Sequence, residues 1–252
     1  MRTLIVIPAR LASTRLPEKL LLRETGYCLL EHTYRAAQRS RRAAEVLVAV
    51  DDERLRSAVE AFGGTAVMTS PEAASGTDRL AEVAADRLDA DLLVNVQGDE
   101  PEIAAVLIDQ VIELLEQSPH ASIATLATPL RDVERLLDPN CVKVVRGADG
   151  RALYFSRAAI PHAREGWGDT LMAAYWHHIG LYAYRRDFLL RFAALPPGDL
   201  ERLERLEQLR ALEHGHTIVV GHADHAAVGI DTRADYDAFV RRWRKSGRTL
   251  HS

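Results

Sequence analysis

Leu4-Ile5-Val6-Ile7-Pro8-Ala9-Arg10-Leu11-Ala12-Ser13-Thr14-Arg15-Leu16-Pro17-Glu18-Lys19 is the stretch that decides how this chain is read. Its first four residues are apolar without alternation, the pattern of a strand buried on both faces in a parallel sheet. The strand opens directly into a loop with three cations, Arg10, Arg15 and Lys19, spaced by small and hydroxyl residues. Exposed backbone N–H groups at a strand end and fixed positive charge both favour an anion, so the loop is expected to surround a polyphosphate such as a nucleoside triphosphate. Neither G-x-x-x-x-G-K-[ST] nor G-x-G-x-x-G follows the strand, which argues against a P-loop or a dinucleotide fingerprint. On the residues alone, Arg10 and Arg15 also read as surface cations paired with Glu18 or Glu24.

Working outward, apolar strands alternate with amphipathic helices. Leu29 to Arg39 reads as a helix, Val46 to Val50 as a strand, Glu53 to Phe62 as a helix and Gly64 to Met68 as a strand. Asp78 to Leu88 reads as a helix, Leu92 to Val96 as a buried strand, Ile103 to Glu116 as a helix and Ser122 to Ala127 as a strand. This βαβ repetition predicts an α/β fold, a three-layer α/β/α arrangement around a mostly parallel, doubly wound sheet, with ligands at the carboxyl ends of its strands. From Val142 to Tyr184 short strands with Gly, Pro and aromatic punctuation predict a small antiparallel insertion, followed by a helix over Leu200 to His214. No linker or repeat divides the chain, so residues 1–252 are expected to form one domain, with the inserted subdomain over roughly 142–186.

Composition narrows the function classes. The chain has 252 residues, 47% hydrophobic and 27% charged, with a net charge of −4, and lacks the basic excess of a nucleic-acid binder. The basic tail Arg241, Arg242, Arg244, Lys245 and Arg248 reads as the solvated end of a last helix. No run of 18 apolar residues and no leader pattern is present, so no membrane partner and a cytoplasmic location are expected. Cys28 and Cys141 have neither C-x-x-C nor metal-ligand spacing and read as small apolar fillers in a reducing compartment.

Asp99 follows an apolar strand in the run Val94-Asn95-Val96-Gln97-Gly98-Asp99-Glu100-Pro101, and Asp231 is read as following another short strand in Gly229-Ile230-Asp231-Thr232. Two carboxylates converging on one sheet edge would suit Mg2+, which takes a few hard oxygens plus phosphate and water. Each also reads as a plain strand-end turn or helix cap. Glu100 beside Asp99 reads either as a further carboxylate of that site or only as a cap of the following helix. Asp89-Ala90-Asp91 matches the D-x-D of metal-dependent glycosyltransferases but precedes its strand, away from the carboxyl edge. His214, His216, His222 and His225 lack an H-E-x-x-H helix or Cys partner and read as loop residues. No G-x-S-x-G elbow supports a hydrolase.

Several motifs in order carry a resemblance over nearly the whole chain. They are the first loop, Met68-Thr69 with Ser75-Gly76-Thr77-Asp78-Arg79-Leu80-Ala81-Glu82, Val94 to Pro101, Pro139-Asn140-Cys141-Val142-Lys143-Val144-Val145, Ala152-Leu153-Tyr154-Phe155-Ser156-Arg157-Ala158, His178-Ile179-Gly180-Leu181-Tyr182, Leu206-Glu207-Gln208-Leu209-Arg210 and Gly229 to Thr232. The chain resembles the sugar cytidylyltransferases, in particular the branch whose acceptor is 3-deoxy-D-manno-octulosonate (Kdo). The resemblance implies a nucleotide-diphospho-sugar transferase-like fold, CTP and Kdo as substrates, and a homodimer serving lipopolysaccharide biosynthesis. It implies that Arg10 and Lys19 hold the triphosphate with Pro8, Ala9 and Ser13 beside them, and that Arg15 lies near the departing phosphates. Asp99 and Asp231 carry over as the metal ligands. Ser75, Gly76, Thr77 and Arg79 carry over as part of the cytidine pocket, and Gln97 as shared between nucleotide and sugar. Arg157, His178, Tyr182, Glu207 and Gln208 carry over as the sugar shell, where an arginine suits a carboxylate and the rest suit hydroxyls. Sialic acid or 8-amino-Kdo is the alternative acceptor. The family commonly has Gly and Pro where this chain has Glu18 and Leu20.

Overall fold

A computed structural model describes residues 1–166 and 174–247. They fall into two compact units, Met1–Asp109 with Ala227–Ser252, and Gln110–Ala226. The insertion expected over 142–186 lies inside the second.

The first unit contains a parallel sheet of β1 (Thr3–Ala9), β2 (Glu45–Val50), β3 (Thr65–Met68) and β4 (Leu92–Asn95), in the order β3-β2-β1-β4. Ile5 stands between Val46 and Val94, and Leu4 to Ile7 are wholly buried. Each such side chain adds about 1.5–3 kcal/mol over an exposed one, which is why the uninterrupted apolar run forms the sheet's centre. Pairing of β1 with β4 ends at Val6 and Asn95. Pro8, which has no N–H to donate, therefore falls where no β4 partner requires one.

Helices α1 (Leu29–Ala37), α2 (Glu53–Ala61) and α3 (Gly76–Asp86) connect these strands. Asp52 accepts from Arg54 N to start α2, and Ser75 with Asp78 forms a reciprocal capping box on α3. Each cap satisfies helix-end donors and contributes about 1 kcal/mol. Helix α4 (Ala105–Glu116) carries the chain into the second unit.

There β5 (Ile123–Pro129) precedes α5 (Val133–Leu137), the β6 (Lys143–Arg146) and β7 (Ala152–Ser156) pair, and β8 (Trp176–Arg185). Helices α6 (Arg186–Ala194), α7 (Asp199–Glu204) and α8 (Gln208–Glu213) lead to β9 (Ile218–His222). Strand β5 runs antiparallel to β8 and parallel to β9, and β6 runs antiparallel to both β7 and β8. The register of β5 and β8 slips after Thr125, leaving Gly180 and Leu181 as a bulge. The chain returns to the first unit with α9 (Arg233–Ser246), opened by a Thr232–Asp235 capping box and closed by Gly247 at φ 59°.

Two expectations are corrected. The helix predicted over Leu200 to His214 is two helices, broken where Arg205 takes a left-handed φ of 53°. Asp231 follows no strand of its own: β9 ends at His222, and Asp231 lies in the loop just before α9. Its approach to Asp99 therefore has a different cause, described next.

Candidate active site

The cationic loop is anchored by its apolar members. Leu16 and Leu20 are buried, Lys19 N donates to Leu16 O at 3.2 Å, and Lys19–Leu21 closes as a single 3-10 turn. Glu18 enters that turn at φ 51°, in the left-handed region that disfavours side chains, and the carboxylate takes a two-pronged pair from Arg54 at 2.6 and 2.7 Å. A glycine at this position would adopt that φ without strain. The turn packs beneath Gly98, where a Cβ would lie 3.0 Å from Pro8 O and 3.6 Å from the Leu20 side chain. Any side chain there would press on a main-chain oxygen, so glycine suits the close approach of the loop after β4 to the end of β1.

Lys19 Nζ is the meeting point of this end of the sheet. It donates to Asp99 Oδ2 at 2.5 Å, Asp231 Oδ1 at 3.1 Å and Ile230 O at 2.8 Å. Ile230 N donates to Asp99 O at 2.9 Å, and this main-chain bond places Asp231 beside Asp99. Arg15 pairs with Asp231 at 2.8 Å. A cavity of about 410 Å³ is lined by Arg10, Arg15, Lys19, Gln97, Asp99 and Asp231, along with Pro8 and Ser13. The alternative pairing of Arg10 or Arg15 with Glu18 or Glu24 is absent among the described residues, since Glu18 holds Arg54 and Glu24 holds Arg233. Asp99 and Asp231 both reach one cationic atom, so their hard oxygens can share one divalent ion. Among the described residues no group of three or more His, Cys, Asp or Glu suits a metal. Two carboxylates completed by phosphate and water are an ordinary Mg2+ arrangement, and the donor set fits. Glu100 is not a helix cap: it is buried, its Oε2 has no hydrogen-bond partner, and burial with the adjacent Asp99 charge pushes its carboxyl up to about 8.

A second cavity, about 810 Å³, adjoins the same loop and is lined by Arg10, Ser13, Asp51, Ala73 and Ala74 among others. Arg10 Nη2 donates to Ala73 O at 2.8 Å. Asp51, at the end of β2, accepts from Leu11 N at 2.9 Å and from Arg79 Nη2 at 3.0 Å. Arg79 is 1% exposed and also donates to Thr69 Oγ1 and Ser70 O, so it shapes the pocket wall through its neighbours. Ser75 is engaged in the α3 cap, Thr77 is buried, and a Cβ on Gly76 would meet Pro8 at 3.2 Å, so the helix start is packed against the strand end. Sequence reasoning missed Asp51, although its place after an apolar strand is the same signal that marked Asp99.

The sugar-shell candidates other than Gln97 all belong to the second unit. The β8 bulge has a direct effect: four residues of straight strand span about 13 Å, yet the His178 and Tyr182 rings lie 5.2 Å apart. Both are buried, and His178 Nε2 lies 3.0 Å from Thr125 Oγ1. Burial first, then His177, pulls the His178 pKa down to about 3, so it works as a neutral hydrogen-bonding ring. Burial, Tyr184 and the nearby negative charge of Glu207 hold the Tyr182 hydroxyl protonated. Phe155 packs edge-on against His178 at 4.9 Å and leads along β7 to Arg157. Arg157 donates from all three nitrogens to main-chain carbonyls of Glu204, Pro139 and Arg205. Glu207 and the buried Gln208 open α8.

The remaining motifs have structural partners. Asp89 and Asp91 bind Arg87, Arg2 and Arg2 N ahead of β4. His216 packs on Phe188, His222 on Trp176, and His214 Nδ1 donates to Arg210 O at 2.9 Å. Arg242 pairs with Glu102 and Arg244 donates to Glu24 O, whereas Arg248 lies outside the described residues.

A parallel α/β unit with a cationic strand-end loop opposite two carboxylates is the construction of a nucleotidyltransferase, and a family model described as cytidylyltransferase matches residues 4–218. The chain belongs to the cytidylyltransferase family. Within it, the chain is 58% identical over 246 residues to the 3-deoxy-manno-octulosonate cytidylyltransferase of Rhodopirellula baltica, covering 96% of this chain and 98% of the relative. It is 46% identical to the protein of the same name from Geotalea uraniireducens, over 97% of this chain and 100% of that one. Among solved structures it is similar to a CMP:2-keto-3-deoxy-manno-octonic acid synthetase in complex with CTP, with a TM-score of 0.91, 39% identity, and coverage of 98% and 100%.

Proposed function

We propose that this enzyme transfers CMP from CTP to the anomeric hydroxyl of Kdo, releasing pyrophosphate and giving CMP-Kdo. The geometry that carries this reading is the convergence of Lys19, Asp99 and Asp231 in a cavity that Arg10, Arg15 and Gln97 complete. The near full-length identity to relatives named for this activity supports the choice of nucleotide and sugar, and the sialic acid alternative is not favoured.

The chemistry is an in-line displacement at the α-phosphorus, with the sugar hydroxyl entering opposite the departing pyrophosphate. Such a step asks the protein mainly for alignment and charge. Arg10, Lys19 and the Ser13 loop hold the phosphates, and Arg15 meets the charge that develops on the leaving group. Phosphate oxygens compete with Asp231 for Arg15 and with Asp99 for Lys19. Asp99 and Asp231 would hold Mg2+, which would supply positive charge to the transferring phosphoryl group. In the second unit Arg157 binds the sugar carboxylate, while neutral His178, Tyr182, Glu207 and Gln208 bind hydroxyls.

Among the described residues no helix is long and apolar enough to cross a membrane. The same reading makes the enzyme a cytoplasmic homodimer whose product is the activated donor for lipopolysaccharide assembly. Pyrophosphate release tests the function, with CTP and Kdo run beside N-acetylneuraminate and beside ATP, GTP and UTP. Mg2+-dependent release confined to CTP with Kdo is expected. Equal release with N-acetylneuraminate would overturn the sugar assignment.

A further inference from the structure

Strand β7 ends at Ser156, and the next residue, Arg157, is gripped from two corners of the second unit. Glu204, the last residue of α7, makes most of that grip. Its Oε1 accepts from Ser156 Oγ at 2.5 Å, its Oε2 accepts from Arg157 N at 2.9 Å, and its main-chain carbonyl accepts from Arg157 Nε at 2.7 Å. Arg205 O accepts from Nη2 at 3.3 Å and Pro139 O from Nη1 at 3.0 Å. Lys143, 0% exposed, fixes the same turn from below through Arg157 O at 2.6 Å and Asp138 O at 2.9 Å.

The Glu204 carboxylate thus binds the main chain and Ser156, while the Arg157 guanidinium rests on carbonyls alone. A guanidinium has five N–H donors. Three are engaged here, which leaves one on each terminal nitrogen, the number that a two-pronged carboxylate contact needs. No carboxylate pairs directly with this guanidinium among the described residues. The corner that supplies the carbonyls is itself rigid. Arg210 holds Glu201 by a two-pronged pair at 2.7 and 2.6 Å, Glu213 accepts from Leu200 N at 3.0 Å, and Arg205 takes its left-handed turn between the two helices. Glu207 and Gln208 follow that corner directly.

We propose that Glu204 is a positioning residue for acidic-sugar recognition, aiming Arg157 at the substrate carboxylate without neutralising it and setting the turn that presents Glu207 and Gln208. This rests on the reading that Arg157 meets the carboxylate of Kdo.

The test is steady-state pyrophosphate release by the full-length enzyme and by Glu204→Ala, Glu204→Gln and Ser156→Ala. Kdo is varied at saturating CTP, and CTP at saturating Kdo. Loss of charge-assisted hydrogen bonds is expected to raise the KM for Kdo in Glu204→Ala by about 10- to 100-fold, with the KM for CTP within about twofold of wild type. Glu204→Gln, which keeps one carbonyl acceptor, should recover part of the loss, and Ser156→Ala should raise the KM for Kdo by a smaller factor. Circular dichroism checks folding, and if Glu204→Ala does not fold, the other two variants carry the test. An unchanged KM for Kdo across the folded variants, or an equal rise for CTP, would overturn the proposal. A wild-type enzyme inactive with Kdo but active with another acidic sugar would overturn the functional reading and this assignment with it.

Discussion

Lys19 donates to two carboxylates and a carbonyl from a single nitrogen, so its removal separates catalysis from stability. Losing one well-aimed donor to a reacting phosphate costs about 2.7–4 kcal/mol of barrier by analogy with oxyanion-hole losses. Lys19→Ala is therefore expected to lower kcat by about 100- to 1,000-fold in a pyrophosphate assay. Lys19 is 14% exposed, but Asp99 and Asp231 are partly solvated, so each of the two pairs contributes at most about 1 kcal/mol to stability. The melting temperature should fall by less than about 10 °C; a larger drop with kcat retained would make Lys19 structural. Glu18 gives the converse case. Glu18→Gly relieves a left-handed φ of 51° but removes the Arg54 pair and loosens the unfolded chain. These effects are small and oppose one another, so the urea unfolding midpoint should stay close to that of wild type, and a large shift in the midpoint would contradict this reading.

At the scale of elements, α1 and α9 are joined by a buried histidine. His32 lies edge-on to Phe239 at 4.9 Å and to Trp243 at 4.4 Å, with its Nε2 2.7 Å from Thr25 Oγ1. Burial lowers its pKa from 6.5 to about 4. The folded ring stays neutral while the unfolded one takes a proton below about 6.5, so stability falls as pH drops from there and levels off below about 4. At about 1.36 kcal/mol per pKa unit, the loss across that window is about 3 kcal/mol. Buried His178 adds loss of the same sign, extending to lower pH. The difference between wild type and His32→Gln therefore isolates this one ring. Urea unfolding at pH 7 and pH 4.5 should show His32→Gln losing markedly less stability than wild type, and equal losses would refute the assignment.

Across the whole molecule, what could be read from sequence divides by the range of the interaction. Strands β1, β2 and β4 were legible because two-sided burial demands an uninterrupted apolar run, and Lys19 and Asp99 drew attention because they lie in the loops that follow β1 and β4. The break at Arg205 was not. Leu200 to His214 has the periodicity of one amphipathic helix, and the left-handed turn is held by carbonyl contacts to Arg157, distant in sequence. Glu204 was hidden for the same reason, being one glutamate among several on a charged helix. The meeting of Asp231 with Asp99 depends on one main-chain bond from Ile230, which no side-chain pattern encodes.

Product analysis by ³¹P NMR with CTP and Kdo labelled with ¹³C at its anomeric carbon tests the central claim most directly. The account predicts pyrophosphate together with a single phosphodiester phosphorus coupled to the labelled carbon. Formation of free CMP and pyrophosphate without that coupling would show hydrolysis of CTP, and would contradict transfer to the sugar.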